Sequence, residues 1–413
     1  MNFCDGGELV EALARAGFRT AEGNEPADVE VVNTCALTVR SVQKARMLVR
    51  QVRAGGPESI VIVTGCAARL AEGAFAGMKE ADAVCASMGE VVDWVTARRG
   101  GGKPEPSTGR GDARRTRAFV KVQDGCEANC SYCVVPLVRG RAKSTPVEEA
   151  VRKIREAAER GHREVVICGI HLGWYGRDVG GESLAGLLER VGRVEGEFRV
   201  RLSSIEPLEV TGELLGVMAG SERFCAHLHL PMQSGSDAVL RAMGRPYTLA
   251  DYERVVERAR KALNNPAITT DIMVGFPGES EGDHERTVEA ARGIGFARGH
   301  VFVYSAREGT HAAEMGGRVD ARTARRRSSE VREGCARTAA AFRMSLVGSR
   351  ANVLVERACG GEAEGLCERY QRVRVRTRST RAGEVVRVFI VGEVTGQGIL
   401  EGRLEEKAGA GEA

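Results

Sequence analysis

Cys126, Cys130 and Cys133 lie in the run Cys126-Glu-Ala-Asn-Cys130-Ser-Tyr-Cys133, a C-x3-C-x2-C spacing. Three thiolates on one short loop match three corners of a cubane [4Fe–4S] cluster, whose irons prefer soft sulfur ligands. With no fourth cysteine close by, one iron stays open for a small molecule. A structural zinc site completed by a remote Cys or His is the alternative. Zinc usually takes paired C-x2-C halves, and this run has none. Two further cysteines stand in Asn33-Thr34-Cys35-Ala36-Leu37-Thr38 and Thr64-Gly65-Cys66-Ala67-Ala68. Each is three residues past a β-branched run, and they are 31 residues apart. That separation is one βαβ unit, so both would reach the carboxyl edge of a parallel sheet, where such sheets bind ligands. Two buried structural cysteines are the alternative there.

The elements that must position these thiols follow from the apolar pattern. The β-branched runs at 29–32 and 60–63 flank a helical stretch at 40–53, a β–α–β order that predicts a parallel sheet. Residues 97–117, rich in Gly, Pro and Arg, read as a linker. Strand-like runs then recur at 119–122, 164–167, 199–202, 226–230, 268–274 and 300–304, with helices such as 147–160 and 249–263 between them. Six βα units fall short of the eight of a complete barrel, so a partial (β/α)6 barrel is expected. An arginine-rich helix at 323–344 precedes short strands at 353–356, 373–377, 384–391 and 398–404, which predict a small all-β barrel. Residues 407–413 read as a flexible tail. The fold class is therefore α/β, with an N-terminal parallel-sheet domain over 1–100, a barrel over 112–345 and a C-terminal all-β barrel over 346–405.

Composition agrees with this organisation. The chain has 413 residues, 43% of them hydrophobic and 28% charged, with a net charge of +4. These values exclude collagen-like, low-complexity and disordered classes. No apolar run approaches the roughly 18 to 20 residues of a membrane span, and the N-terminus lacks a signal-peptide pattern. The expectation is a cytoplasmic protein without membrane association, whose regularly spaced cysteines are ligands rather than disulfides. Cys85, Cys168, Cys225, Cys335, Cys359 and Cys367 have no partner spacing and read as core filler or incidental surface thiols.

At the C-x3-C-x2-C loop the chain resembles the radical S-adenosylmethionine (SAM) superfamily, and Tyr132 matches the family's aromatic residue before the third cysteine. The words around Cys35 and Cys66 resemble the N-terminal domain of its methylthiotransferases, which binds an auxiliary [4Fe–4S] cluster. The C-terminal strands resemble the RNA-binding TRAM barrel. The resemblance implies that Cys126, Cys130 and Cys133 are catalytic cluster ligands and that SAM chelates the open iron. One electron then cleaves SAM to methionine and a 5′-deoxyadenosyl radical. A second SAM methylates a sulfur held at the auxiliary cluster of Cys35 and Cys66. The radical removes hydrogen from C2 of an adenine in tRNA, which the methylthio group replaces. An electron donor of the flavodoxin type and a sulfur donor are the further partners implied.

Strand-end words point to one branch. Gly169-Ile170-His171-Leu172-Gly173-Trp174-Tyr175-Gly176 and Arg201-Leu202-Ser203-Ser204-Ile205-Glu206-Pro207 resemble the branch acting on N6-threonylcarbamoyladenosine. The isopentenyladenosine branch typically has GQNV at the first position, and remains the alternative beside a non-catalytic Fe–S RNA-binding protein. Carboxyl ends of barrel strands gather substrate contacts, which gives His171 and Glu206 a physical reason to be functional. By resemblance, Gly169, Ser204, Gln233 and Asp271 lie near SAM, in words such as His227-Leu228-His229-Leu230-Pro231-Met232-Gln233 and Thr270-Asp271.

Residues 369–381 hold six arginines and no acid. On a strand, Arg372, Arg374, Arg376 and Arg378 share one face while Val373 and Val375 point inward. A row of guanidinium groups suits phosphate tracking, which favours tRNA as substrate. Arg322, Arg325, Arg326 and Arg327 would extend that surface.

The N-terminus departs from the family. Members usually open with a strand ending in Gly-Cys-x-x-Asn, whose cysteine is the first auxiliary ligand. Here Met1-Asn2-Phe3-Cys4-Asp5 begins near that Asn, and Cys4 follows it rather than preceding it. The expectation is a start downstream of the true one, or a fragment, with Cys4 not an equivalent ligand. Two thiolates hold a cubane poorly, so the chain as written should reconstitute with about four irons rather than eight. Restoring an upstream in-frame segment should recover the rest. Stable binding of both clusters, with the auxiliary one lost in Cys4→Ala, would instead make Cys4 the third ligand.

Overall fold

The computed structural model describes residues 2–21, 25–36, 38–70, 74–98 and 116–405, so most of the linker and the whole tail lie outside the described residues. Two compact units result. The first comprises Met1–Arg114, Gly125–Arg141 and Ser305–Glu314, and the second Arg115–Asp124, Ala142–Tyr304 and Met315–Ala413. No helix among the described residues is long and apolar enough to cross a membrane.

In the first unit, strands β1 (Val29–Thr34) and β2 (Ile60–Gly65) pair in parallel from Val29↔Ile60 to Thr34↔Gly65, with β3 (Ala83–Val84) on the other side of β2. The expected connecting helix is Val39–Gly55, and it starts with a capping box between Thr38 and Ser41. Val32, Val49, Val61, Val63 and Phe75 form a core on one face of the sheet. Leu9, Ile62, Val91 and Val95 form another. The continuous apolar run of β2 suits a parallel strand covered on both faces.

The second unit contains the barrel. Strands β4 (Arg117–Lys121), β5 (Gln123–Asp124), β6 (Lys143–Ser144), β7 (Glu164–Cys168) and β8 (Arg199–Leu202) precede β9 (His227–His229), β10 (Ala267–Val274) and β11 (Arg298–Val303). β4, β7 and β8 form one parallel sheet and β9, β10 and β11 another, while β5 and β6 form a separate antiparallel pair. Parallel bridges Val200↔Phe224 and Ser204↔His229 continue the wall from one sheet to the next. This is the expected six-stranded partial barrel. Alternate side chains Val165, Ile167, Val200, Leu202, Leu228, Ile268, Ile272 and Val301 enter the apolar core. The opposite positions include the polar Glu164, Arg199, Arg201, His227, His229, Thr269, Asp271 and His300. Helix Ala321–Ser345 packs on β11 so closely that a Cβ at Gly299 would lie 2.3 Å from Cys335 Sγ.

The chain ends in a closed five-stranded barrel of order β12–β13–β14–β16–β15: β12 (Arg350–Cys359), β13 (Glu362–Cys367), β14 (Arg372–Arg376), β15 (Val385–Val394) and β16 (Ile399–Leu404). β13 was absent from the sequence expectation, because Glu-Ala-Glu-Gly-Leu-Cys has neither β-branched residues nor clean alternation. Its Gly365 is forced, since a Cβ would sit 1.9 Å from Leu354 O, beside the irregularity in β12.

A buried ion cluster ties this barrel to the amino ends of β7 and β8. Glu164 accepts from Arg199 Nε at 2.6 Å and from Arg201 Nε at 2.9 Å. The same guanidinium groups donate to Asn352 O, Leu366 O, Glu368 O and Cys367 O. Each guanidinium nitrogen of the pair has a partner, as a buried charge cluster requires. Burial alone would push the Glu164 carboxyl up, but Arg201 and Arg199 hold it down at about 2. Its stabilisation is complete above the ordinary carboxylate pKa of 4.5 and is lost as pH falls through about 2. Glu164→Gln leaves two buried cations without a counter-ion and should cost about 3 to 5 kcal/mol, measured by chemical denaturation at neutral pH. A variant as stable as the parent would contradict the clamp.

Candidate functional site

The C-x3-C-x2-C loop in the first unit is shaped by two residues in the left-handed region. Gly125 has φ +71°, and a Cβ there would lie 2.0 Å from Arg141 O, while Asn129 turns the chain between Cys126 and Cys130 at φ +52°. Cys126 N donates to Gly140 O at 3.1 Å and closes the neck of the loop. Within it, Ala128 N donates to Cys126 Sγ and Val135 N to Cys133 Sγ, both at 3.4 Å. Peptide donors aimed at sulfur favour thiolates and fit an iron–sulfur cluster. Cys126, Cys130, Tyr132 and Cys133 are all half-buried. Among the described residues no three His, Cys, Asp or Glu side chains already converge as a metal cage.

Cys35 and Cys66 are each the first residue past the paired ends of β1 and β2, where Thr34 faces Gly65. The approach is tight: Gly65 has φ +95° and a Cβ would meet Asn33 Oδ1 at 2.3 Å and Thr34 O at 2.5 Å. Burial pushes the Cys66 thiol up, opposed by the charge and hydrogen bond of Arg139. Arg139 ends the short helix Val135–Arg139 that follows Cys133, and pairs with Asp5 at 2.6 Å. Val134 packs into the same core as Val63 and Ala67. Cys4, beside Asp5, is buried. Segment Ser305–Glu314 touches both thiol loops: Val39 N donates to Ser305 Oγ, Arg307 donates to Ala36 O, and Ala312 N donates to Ser131 O at 2.7 Å. Two thiols and flanking guanidinium groups fit an anionic cluster. The pairing of Arg139 with Asp5 and Cys66 had no sequence signal, because no spacing rule links residue 139 to residue 5 or 66.

In the second unit, Gly169, Ser204 and Gln233 lie past the carboxyl ends of β7, β8 and β9, while Asp271 lies within β10. Gln233 adopts φ +65° and is buried, and its Oε1 has no partner among the described residues. Such a strained, unsatisfied amide is the mark of a ligand contact. Gly169 admits no side chain cheaply, since a Cβ would meet Leu172 Cα at 3.0 Å. Asp271 lies between His229 Nε2 at 3.5 Å and His300 Nδ1 at 3.4 Å. Burial would raise its carboxyl, but the two imidazoles hold it well below the carboxylate range. His171 Nε2 bonds Glu209 Oε1 at 2.7 Å and its ring stacks on Trp174 at 4.0 Å. Glu206, singled out with His171, instead pairs with Arg245 at 3.0 Å.

The arginine row needs adjustment. Val373 and Val375 are buried and Arg372, Arg376 and Arg378 exposed, as the period of two requires. Arg374, however, is held by Glu364 at 2.8 Å, and Arg372 lies 3.8 Å from the same carboxylate. The run itself has no acid, but neighbouring β13 supplies one. Arg326 and Arg327 do not extend the surface either. Both pair with Glu281, and Arg327 is buried against Glu279.

Comparison with known proteins matches residues 120–291 to the Radical SAM superfamily and residues 1–86 to Uncharacterized protein family UPF0004. A threonylcarbamoyladenosine tRNA methylthiotransferase MtaB from Thermotoga maritima is 36% identical over 361 residues, covering 84% of this chain and 82% of the relative. Its Bacillus subtilis counterpart is 34% identical, covering 76% and 73%. A tRNA-2-methylthio-N(6)-dimethylallyladenosine synthase from Cereibacter sphaeroides is 33% identical, covering 94% and 93%.

The Asp271–His300 contact predicts a titration. The hydrogen bond that His300 donates to Asp271 raises the His300 pKa against burial and the charges of Arg298 and Arg332. Asp271→Asn should therefore lower it, followed by NMR of the ring protons. An unmoved His300 titration would break the contact.

Proposed function

The chain belongs to the radical SAM methylthiotransferases, and from that premise we propose that it places a methylthio group on C2 of N6-threonylcarbamoyladenosine at position 37 of tRNA. The observation that carries this reading is the assembly of both thiol groups, Cys126/Cys130/Cys133 and Cys35/Cys66, in one compact unit. The threonylcarbamoyl branch is supported by the strand-end words and by the relatives of that name. An unactivated aromatic C–H offers no acidic proton to a general base, which is why radical chemistry is needed. When bound, the clusters and SAM supply one-electron cleavage, the sulfur and the methyl group.

The protein's own residues hold and orient. Cys126, Cys130 and Cys133 hold the cluster that meets SAM, with Ala128 N and Val135 N donating to the sulfurs of Cys126 and Cys133. Cys35 and Cys66 supply two thiolates to the auxiliary cluster, and Arg139 and Arg307 balance their charge. Tyr132, Gly169, Ser204, Gln233 and Asp271 are the residues we assign to SAM. The unsatisfied Gln233 Oε1 supports that assignment. The family matches support reading 1–100 as the methylthiotransferase N-terminal domain and 112–345 as the radical SAM barrel. The closed strand order supports 346–405 as a TRAM-like domain. Arg372, Arg376 and Arg378 meet phosphate there, with Arg374 anchored by Glu364. A flavodoxin-type protein supplies electrons, a separate donor supplies sulfur, and a tRNA substrate places the activity in the cytoplasm.

Mass spectrometry of tRNA nucleosides from a deletion strain tests the reading. The expected result is loss of 2-methylthio-N6-threonylcarbamoyladenosine with accumulation of its unthiolated form. Loss of the methylthio isopentenyl nucleoside instead would assign the chain to the other branch. An unchanged profile would remove tRNA methylthiolation altogether.

A further inference from the structure

Helix Ala321–Ser345 carries its arginines on two faces. Arg326 and Arg327 turn towards helix Glu281–Gly293 and are neutralised there by Glu281, Glu279 and Glu330. Arg322, Arg325 and Arg332 are exposed, and no carboxylate pairs with them among the described residues. Offsets of three and seven residues keep these three within about 80° of one another at 3.6 residues per turn, along roughly 15 Å of helix.

The ends of this helix give the stripe a direction. Arg332 Nη2 donates to Val301 O at 2.9 Å, on the edge strand of the incomplete barrel. That strand exposes Arg298 and His300, and the charges of Arg298 and Arg332 are both felt at His300. At the other end Arg343 pairs with Glu393 of the C-terminal barrel at 3.1 Å. The stripe therefore starts at the open edge of the catalytic barrel, on a helix that runs to the proposed RNA-binding barrel.

We propose that Arg322, Arg325 and Arg332, with Arg298 at the barrel edge, form a second RNA-binding surface that tracks tRNA phosphates between the two barrels. This rests on the tRNA reading above. Inward or exposed charge on an edge strand can serve only to block strand pairing, which accounts for Arg298 but not for three aligned helix positions. Glu333 on the same helix face is taken by Arg337 at 2.5 Å, and the guanidinium groups of the stripe suit phosphate oxygens, which accept their paired donors.

The test is binding of an unmodified tRNA transcript to the full chain across a potassium chloride series. Each lost phosphate contact lowers the log–log salt slope by roughly 0.7 to 0.9. Arg322→Ala/Arg325→Ala/Arg332→Ala should therefore lose about 2 to 3 slope units, whereas Arg322→Lys/Arg325→Lys/Arg332→Lys keeps the slope. Arg254→Ala, on another exposed helix, should change nothing. An unchanged slope in the triple alanine variant, while Arg372→Ala/Arg376→Ala lowers its own, overturns the stripe and leaves the tRNA reading intact. No tRNA binding by the parent overturns both. An unchanged slope with lost reduction by a flavodoxin-type donor assigns the stripe to an acidic protein and overturns the proposal.

Discussion

Arg139 holds two groups at once, the Cys66 thiol on one side and the Asp5 carboxylate on the other. It stands six residues after Cys133, at the end of a helix whose first turn buries Val134 in the sheet's core. The C-x3-C-x2-C loop is therefore not an isolated excursion from the barrel's first strand. Its far end is an integral part of the unit that carries Cys35 and Cys66. The parallel pairing of β1 and β2 fixes those two thiols side by side, and one buried guanidinium joins them to the loop. Asp5 is the counter-ion of this buried cation, and the hydrogen bond to Cys66 places that thiol beside the loop.

A different constraint governs the second unit. Six strands leave a barrel whose inward face cannot be filled by apolar layers alone, and it is lined by arginine, histidine and carboxylate side chains. Glu164 neutralises Arg199 and Arg201, and their remaining donors take backbone carbonyls of β12 and the segment around β13. Tyr370, in the left-handed region at φ +56°, stacks on His227 and lies under Arg201. The C-terminal barrel thus completes the amino end of the catalytic barrel, opposite the strand ends that carry Gly169, Ser204 and Gln233.

The strands were legible in the sequence because they are short runs rich in β-branched residues, as at 29–32, 60–63 and 164–167. The C-x3-C-x2-C run and the pair Cys35/Cys66 were legible because a multi-thiolate site demands regular spacing. β13 was not, because its fold depends on a glycine accommodating Leu354 O rather than on apolar residues. Arg139, Arg307 and Glu209 were hidden for a related reason: their partners lie 73, 271 and 38 residues away, and only the folded chain brings them together. The arginine row was half legible. Period two gave the face correctly, but the acids that occupy Arg374 come from the adjacent strand.

The two sets of thiols are proposed to serve distinct roles, Cys126/Cys130/Cys133 for SAM cleavage and Cys35/Cys66 for sulfur. The direct measurement is 5′-deoxyadenosine formed after anaerobic reconstitution and reduction with SAM. The account predicts product from the parent chain, none from Cys126→Ala, Cys130→Ala or Cys133→Ala, and undiminished product from Cys35→Ala and Cys66→Ala. No product from the reconstituted parent, or product that survives loss of Cys126, would contradict it.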